Sequence, residues 1–195
     1  YNMKGQPDIV IGVQSMVSNP YLRINLSPVI APGTEYINNA VSVSSGNNFH
    51  CALLQDGKVV CWGKNTHGGL GIGSTTHTGT AAPAYVQLGT SRTATQIAVG
   101  DSHACALLDD QTVKCWGRNT YGQLGLGTFE TMWDQAGEMG EFLPTLDLSS
   151  TLLPISISAG YEHSCVVLSD NKMRCWGSNS YKALGNGHNW NNDYM

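Results

Sequence analysis

The stretch Cys51-Ala-Leu-Leu-Gln-Asp-Gly-Lys-Val-Val-Cys61-Trp62-Gly63 decides the fold of this chain. Cys51 and Cys61 are symmetric about Asp56, so the turn between them holds an odd number of residues. A three-residue loop Gln55-Asp56-Gly57 fits, with Gly57 in the left-handed conformation that closes such a hairpin. Leu54 then faces Lys58 as a hydrogen-bonded pair. Stepping outwards puts Cys51 opposite Cys61 at a non-hydrogen-bonded site, where α-carbons lie about 4.5 Å apart, within the reach of a disulfide. The same register places Cys51, Leu53, Val59 and Cys61 on one face and Ala52, Leu54, Val60 and Trp62 on the other. Both faces are largely apolar, as in a sheet covered on both sides.

The hairpin recurs as Cys105-Ala-Leu-Leu-Asp-Asp-Gln-Thr-Val-Lys-Cys115-Trp116-Gly117 and as Cys165-Val-Val-Leu-Ser-Asp-Asn-Lys-Met-Arg-Cys175-Trp176-Gly177. Asn171 suits the left-handed turn position, whereas Gln111 is a poorer fit. Alternating strands ending in Gly precede each hairpin: 41–46, 96–100 and 155–160. Glycine-rich loops follow each, at Leu70 to Gly73, Leu124 to Gly127 and Leu184 to Gly187. A long period built of short strands and turns indicates propeller blades. The expected fold is therefore all-β, with three blades, one disulfide per blade. The blades run over 41–95, 96–154 (with a long loop at 128–143) and 155–195, the last incomplete, after a leading β segment or the end of a preceding blade at 1–40.

All six cysteines fall in pairs ten residues apart, with none left over. That pattern favours bridges Cys51–Cys61, Cys105–Cys115 and Cys165–Cys175, and hence an oxidising compartment. Structural zinc is the competing reading, but its usual knuckle of two ligands two to four residues apart is missing.

The Gly-x-x-His stems Gly100 to His103 and Gly160 to His163, the Trp-Gly that ends each hairpin, and Asn119-Thr-Tyr-Gly-Gln-Leu-Gly125 resemble the regulator of chromosome condensation repeat family. Asn65 to Gly71 and Asn179 to Gly185 repeat the last motif imperfectly. The resemblance covers about residue 41 to the C-terminus and implies blades of a seven-bladed propeller. The paired cysteines look like its secreted microbial branch. Functions implied by the family range from nucleotide exchange on a small GTPase to protein or membrane binding and β-lactamase inhibition, so fold does not choose among them. Three blades do not close a ring. The expectation is a fragment of a larger propeller, or open edges completed by other chains.

A formal net charge of −4 with no run of Lys or Arg argues against nucleic acid as a partner. The apolar runs, Ile9-Val10-Ile11 among them, are all too short to span a bilayer. In the leading segment Asp8–Val13 and Tyr21–Leu26 read as strands, available for pairing with a neighbouring sheet edge. Asn25-Leu26-Ser27 is a glycosylation sequon. No nucleophile with its base, carboxylate pair, metal set or phosphate loop stands out, so neither catalysis nor a cofactor is expected. His103 and His163 occupy one repeat position, held by Phe49 in the first blade, which points to packing or a backbone hydrogen bond.

Candidate interaction residues are His67, Tyr121 and Tyr181, which follow successive Trp-Gly pairs, and Trp133 and Phe142 in the long loop, where aromatic and Met residues are typical contact material. The plainer alternative is that the loop's apolar groups pack back onto the blade. The expected role is an extracellular, cell-surface or periplasmic propeller working by protein binding or self-assembly through sheet edges, including a filament or surface-layer subunit. The alternatives are a soluble adhesin, lectin-like binder or enzyme inhibitor, and a nuclear or cytosolic exchange factor.

Overall fold

A computed structural model of the chain describes residues 37–78, 84–131, 135–148 and 151–187. The two leading strands, the Asn25 sequon and Trp133 lie outside the described residues. The chain divides into two compact units, Tyr1–Glu35 and Tyr36–Met195, and all described residues belong to the second.

Among the described residues, ten strands form three antiparallel sheets. Blade one contains β1 (Ala40–Ser45), β2 (Phe49–Leu54), β3 (Val59–Gly63) and the short β4 (Ala84–Tyr85), paired in that order. Blade two contains β5 (Ala94–Val99), β6 (His103–Leu108) and β7 (Val113–Gly117); blade three contains β8 (Pro154–Ala159), β9 (His163–Leu168) and β10 (Met173–Gly177).

The hairpins follow the geometry that the cysteine spacing predicts. Leu54 N–H donates to the Lys58 carbonyl at 2.8 Å, Gly57 has φ +77°, and Cys51 lies opposite Cys61. Gln111 and Asn171 take the same left-handed place at φ +62° and +63°. Gln111 therefore fills the position despite its poorer intrinsic fit. A local contact helps each turn: the carboxylates of Asp56, Asp110 and Asp170 accept the backbone N–H of Lys58, Thr112 and Lys172 at 3.0–3.1 Å. The added hydrogen bond from the Lys58 ammonium holds the Asp56 carboxyl below the usual carboxylate range, and Lys172 does the same for Asp170. The three disulfides each join α-carbons 4.1 Å apart.

Blade two shows why both faces of the hairpin are apolar. Every residue of β6 and β7 is buried, because blades one and three cover its opposite sides. In β9 burial alternates: Ser164, Val166 and Leu168 are buried, while His163, Cys165 and Val167 on the other face are half-buried. Polar bonds join the inner strands. Val99 N–H donates to Ser44 Oγ at 2.9 Å, and the Gln96 amide bridges to the Ile155 carbonyl and the Ile157 N–H at 3.0 and 3.1 Å. Blade backbones approach so closely here that a Cβ on Gly46 would lie 2.2 Å from the Gly100 carbonyl oxygen, and one on Gly100 2.5 Å from that of Gly160. Glycine at the end of the first strand of blades one and two is thus a packing requirement, whereas a Cβ on Gly160 would meet the His163 ring of its own blade, at 2.2 Å.

Candidate interaction surface

Each hairpin begins and ends at the same end of its blade, so the stem turns before β2, β6 and β9 lie beside the loops after β3, β7 and β10. Backbone bonds fix this pairing: Lys64 N–H donates to the Asn48 carbonyl, Arg118 to Ser102 and Ser178 to Glu162, all at 2.8–2.9 Å. This stem end carries Asn47, Asn48, Lys64 and His67 from blade one, Asp101, Ser102, Arg118 and Tyr121 from blade two, and Tyr161, Glu162, Ser180 and Tyr181 from blade three. The hairpin turns define the opposite end.

A buried asparagine makes each loop rigid. The Oδ1 atoms of Asn65, Asn119 and Asn179 accept the N–H of the residue five places on, Leu70, Leu124 and Leu184, at 2.9–3.1 Å. The Asn119 side-chain amide also donates to the Thr128 and Glu130 carbonyls at 2.8 and 3.1 Å. All three asparagines are at most 2% exposed, so they organise the surface from beneath. A tryptophan of the next blade then fastens the loop: Trp116 Nε1 donates to the Gly69 carbonyl at 2.9 Å and Trp176 Nε1 to that of Gln123 at 3.0 Å.

The sequence-predicted interaction residues divide between the two ends. His67 is half-buried and lines a small polar cleft with Asn47, Asn48, Lys64, Asp101 and Ser102, between blades one and two. Tyr121 is half-buried with the Arg118 guanidinium 5.7 Å over its ring. Tyr181 is fully exposed, in left-handed backbone at φ +61°. Phe142 is exposed too, but belongs to the turn end. Its short 3-10 helix (Gly140–Phe142) is tied to the linker after β4 by a Gly140 N–H to Gln87 carbonyl bond and a bond from Thr90 N–H to Glu141.

Two apolar residues of the long loop pack back onto the blades, while most of its other described residues are exposed. Met139 and Leu143 are 3% and 1% exposed, and the Lys114 ammonium donates to the Leu88 and Gly140 carbonyls at 2.9 Å. Burial pulls that lysine below its usual range, with Glu141 opposing. Tyr161, 64% exposed beside Glu162, joins the stem end and escaped the sequence reading. Its signal was the variable residue after the stem glycine: Asn47, Asp101, Tyr161.

Under this surface the buried His103 has a structural task. Ser164 Oγ donates to the Gln123 carbonyl at 2.9 Å and so accepts from His103 Nε2 at 2.9 Å, fixing the tautomer. The partner is a hydroxyl of the next blade rather than a backbone group. Burial, reinforced by the His163 charge, lowers the His103 pKa to about 4. Folding thus favours the neutral ring. Its stabilising contribution is complete above the unfolded value near 6.5 and is lost as pH falls through that value toward 4. By pH 4 the loss should reach about 3 kcal/mol. Urea unfolding between pH 7 and 4 should show this slope, and the His103→Phe/Ser164→Ala variant should lack that part of it.

Among the described residues, no three His, Cys, Asp or Glu side chains are grouped to hold a metal ion. Two sequence profiles of the regulator of chromosome condensation (RCC1) repeat match the chain, one at 40–68, 94–123 and 155–182, the other at 56–107 and 112–167. The human probable E3 ubiquitin-protein ligase HERC3 is 35% identical over 147 residues, which is 74% of this chain but 13% of the ligase. The ultraviolet-B receptor UVR8 of Arabidopsis thaliana is 24% identical over 195 residues, with 75% and 43% of the two chains covered. Among solved structures, human WBSCR16 superposes with a TM-score of 0.66 at 19% identity, over 94% of this chain and 43% of that one. Yeast RCC1 (Prp20), solved bound to Kap60, gives 0.61 at 24%, over 80% and 36%. The chain therefore spans less than half the length of these relatives. With profile matches over more than half its length and hairpins, stem glycines and Trp-Gly ends in register across three blades, this chain belongs to the regulator of chromosome condensation (RCC1) repeat family.

Proposed function

We propose that this chain is a binding module of an oxidising, extracellular or cell-surface setting, whose stem end engages a protein partner. The observation that carries this reading is the set of loops pinned by Asn65, Asn119 and Asn179, which present His67, Arg118 and Tyr181 on a rigid base beside the exposed Tyr161 of the third stem turn. Tyrosine and arginine supply contact area and hydrogen bonds at little ordering cost, and surrounding Asn and Ser add adaptable polar contacts. The location is supported by three disulfides with no free cysteine, a pattern at odds with a reducing cytosol or nucleus. The same point weighs against a nucleotide-exchange role. Blades 41–95, 96–154 and 155–195 are its units in this reading.

Within this class, a structural subunit of a filament or surface layer is the assembly-based form, and a soluble secreted binder is the other. Electron microscopy of native material separates them. For the binding surface, a photo-crosslinker at Tyr181 should capture the partner, and one at Asp56 on the turn end should not. Tyr161→Ala with Tyr181→Ala should weaken binding by about tenfold or more, as loss of contact tyrosines does elsewhere, while Phe142→Ala leaves it unchanged. Equal capture from both ends would refute a stem-end site.

A further inference from the structure

Where blades two and three meet at the stem end, the space is filled and the charges are matched. Arg118 Nη1 lies 3.5 Å from Glu162 Oε1 of the next stem, and the guanidinium covers the Tyr121 ring. The Gln123 side chain of the same loop is 1% exposed, its Oε1 accepting the Tyr121 N–H at 2.8 Å. A carboxamide of the chain itself occupies this place.

Between blades one and two the same repeat positions leave a cleft. Gly69 stands where Gln123 does, four residues after the pinning asparagine, and Lys64 stands where Arg118 does. Ser102 takes the place of Glu162, and the carboxylate sits one residue earlier, at Asp101. Lys64, Gly69, Asp101 and Ser102 all line the cleft. A Cβ on Gly69 would lie 3.3 Å from the Phe49 ring and 3.4 Å from the Ser102 carbonyl oxygen, so a side chain there would enter the space. Among the described residues, neither Lys64 nor Asp101 is ion-paired. One Asp101 oxygen accepts the Ser102 hydroxyl at 2.8 Å, and the other is buried without a hydrogen-bond partner. Leaving a buried acceptor unmet is costly, most of all for a charged group. An unmet acceptor and an unpaired cation thus share one small cleft.

We infer that this cleft is a carboxamide pocket, which takes one glutamine or asparagine side chain of the protein bound at the stem end. The amide NH2 donates to the Asp101 carboxylate, and the amide carbonyl accepts from the Lys64 ammonium. The inference rests on the stem end being the binding surface. Charge selects the class of ligand. Lys64 opposes a cation and Asp101 opposes an anion, so the fitting group is neutral and carries a donor and an acceptor together. Gln123 narrows the choice among such groups, because blade two fills the corresponding place with a carboxamide of its own.

The test titrates the whole chain with the peptide Ac-Gly-Gln-Gly-NH2, and with control peptides that carry methionine or glutamate in place of the glutamine. Backbone amide NMR signals of Gly69, Asp101 and Ser102 should shift saturably, with a dissociation constant on the order of millimolar for so small an anchor. The two control peptides should leave those signals in place. Gly69→Gln supplies the side chain from within, at the cost of a few tenths of an ångström of give in the Phe49 ring, and should abolish the response. Asp101→Asn should weaken it by about tenfold or more, the share of a hydrogen bond to a charged group. Should Gly69→Gln disturb the fold, Asp101→Asn and Lys64→Met carry the test. Equal responses to the glutamine and methionine peptides, or a response that survives these substitutions, would overturn the pocket. A saturable response to a methyl glucoside but not to the glutamine peptide would assign the cleft to a hydroxyl ligand and overturn it as well. Partner capture at Tyr181 with no peptide response overturns the carboxamide and leaves the stem-end reading intact, whereas equal capture from both ends overturns both.

Discussion

Reducing the three disulfides should lower the stability of the blades by about 6–9 kcal/mol in total, as each closes a short loop worth about 2–3 kcal/mol in chain entropy. That loss is comparable to the whole stability of a typical domain, so the reduced chain should unfold with little or no denaturant. Urea titrations with and without reductant, followed by tryptophan fluorescence, measure it. Access predicts the order of reduction. Cys51, Cys61, Cys105 and Cys115 are at most 2% exposed, whereas Cys165 and Cys175 are half-buried on the open face of blade three. A reductant should cut Cys165–Cys175 first and reach the others only as the blades open. Alkylation followed by mass measurement resolves the sequence of events. If the native protein, unfolded without reductant, takes up label on all six thiols, the oxidising compartment and the role outside the cell both fall.

The hairpins were legible because their information is local. A separation of ten between cysteines set the register, and Gly57, which lacks a Cβ, and Asn171 tolerate the turn's left-handed backbone. Gln111 occupies the same conformation because two flanking blades and a disulfide over-determine that hairpin, overriding a weak local preference. The long loop was opaque for the converse reason. Nothing in its sequence distinguishes Met139 and Leu143, which pack inward, from Phe142, which does not. The choice depends on where the linker of blade one lies, and Lys114 reaches that linker across 26 residues of sequence. Tyr121 and Tyr181 illustrate the same limit: one repeat position gives a half-buried ring under Arg118 in blade two and a fully exposed ring in blade three. The pairing of His103 with Ser164 joins residues 61 apart, and neither reveals the other until the blades are side by side.

Trp116→Ala should cost about 3–5 kcal/mol, the usual range for deleting a buried aromatic, and its effect should appear in a different blade from the substitution. Trp116 is 0% exposed, and its indole N–H holds the Gly69 carbonyl of blade one. Gly71 approaches it so closely that a Cβ there would lie 2.8 Å from the indole nitrogen. Losing the ring opens a cavity and leaves the Gly69 carbonyl without its donor, so exchange at Leu70 N–H, which Asn65 Oδ1 accepts, should speed up with it. Trp116→Phe separates the two contributions, since it keeps most of the apolar volume and forfeits the hydrogen bond, at about 1–2 kcal/mol. Trp62, at the same place in blade one but only half-buried, should tolerate alanine at a smaller cost. Because the indole fastens the loop that presents His67, the alanine variant should also weaken partner binding at the stem end under conditions where the chain remains folded. A Trp116→Ala chain that loses stability yet keeps native exchange at Leu70 would show that the loop is rigid by itself, and that the stem end does not depend on contact between blades.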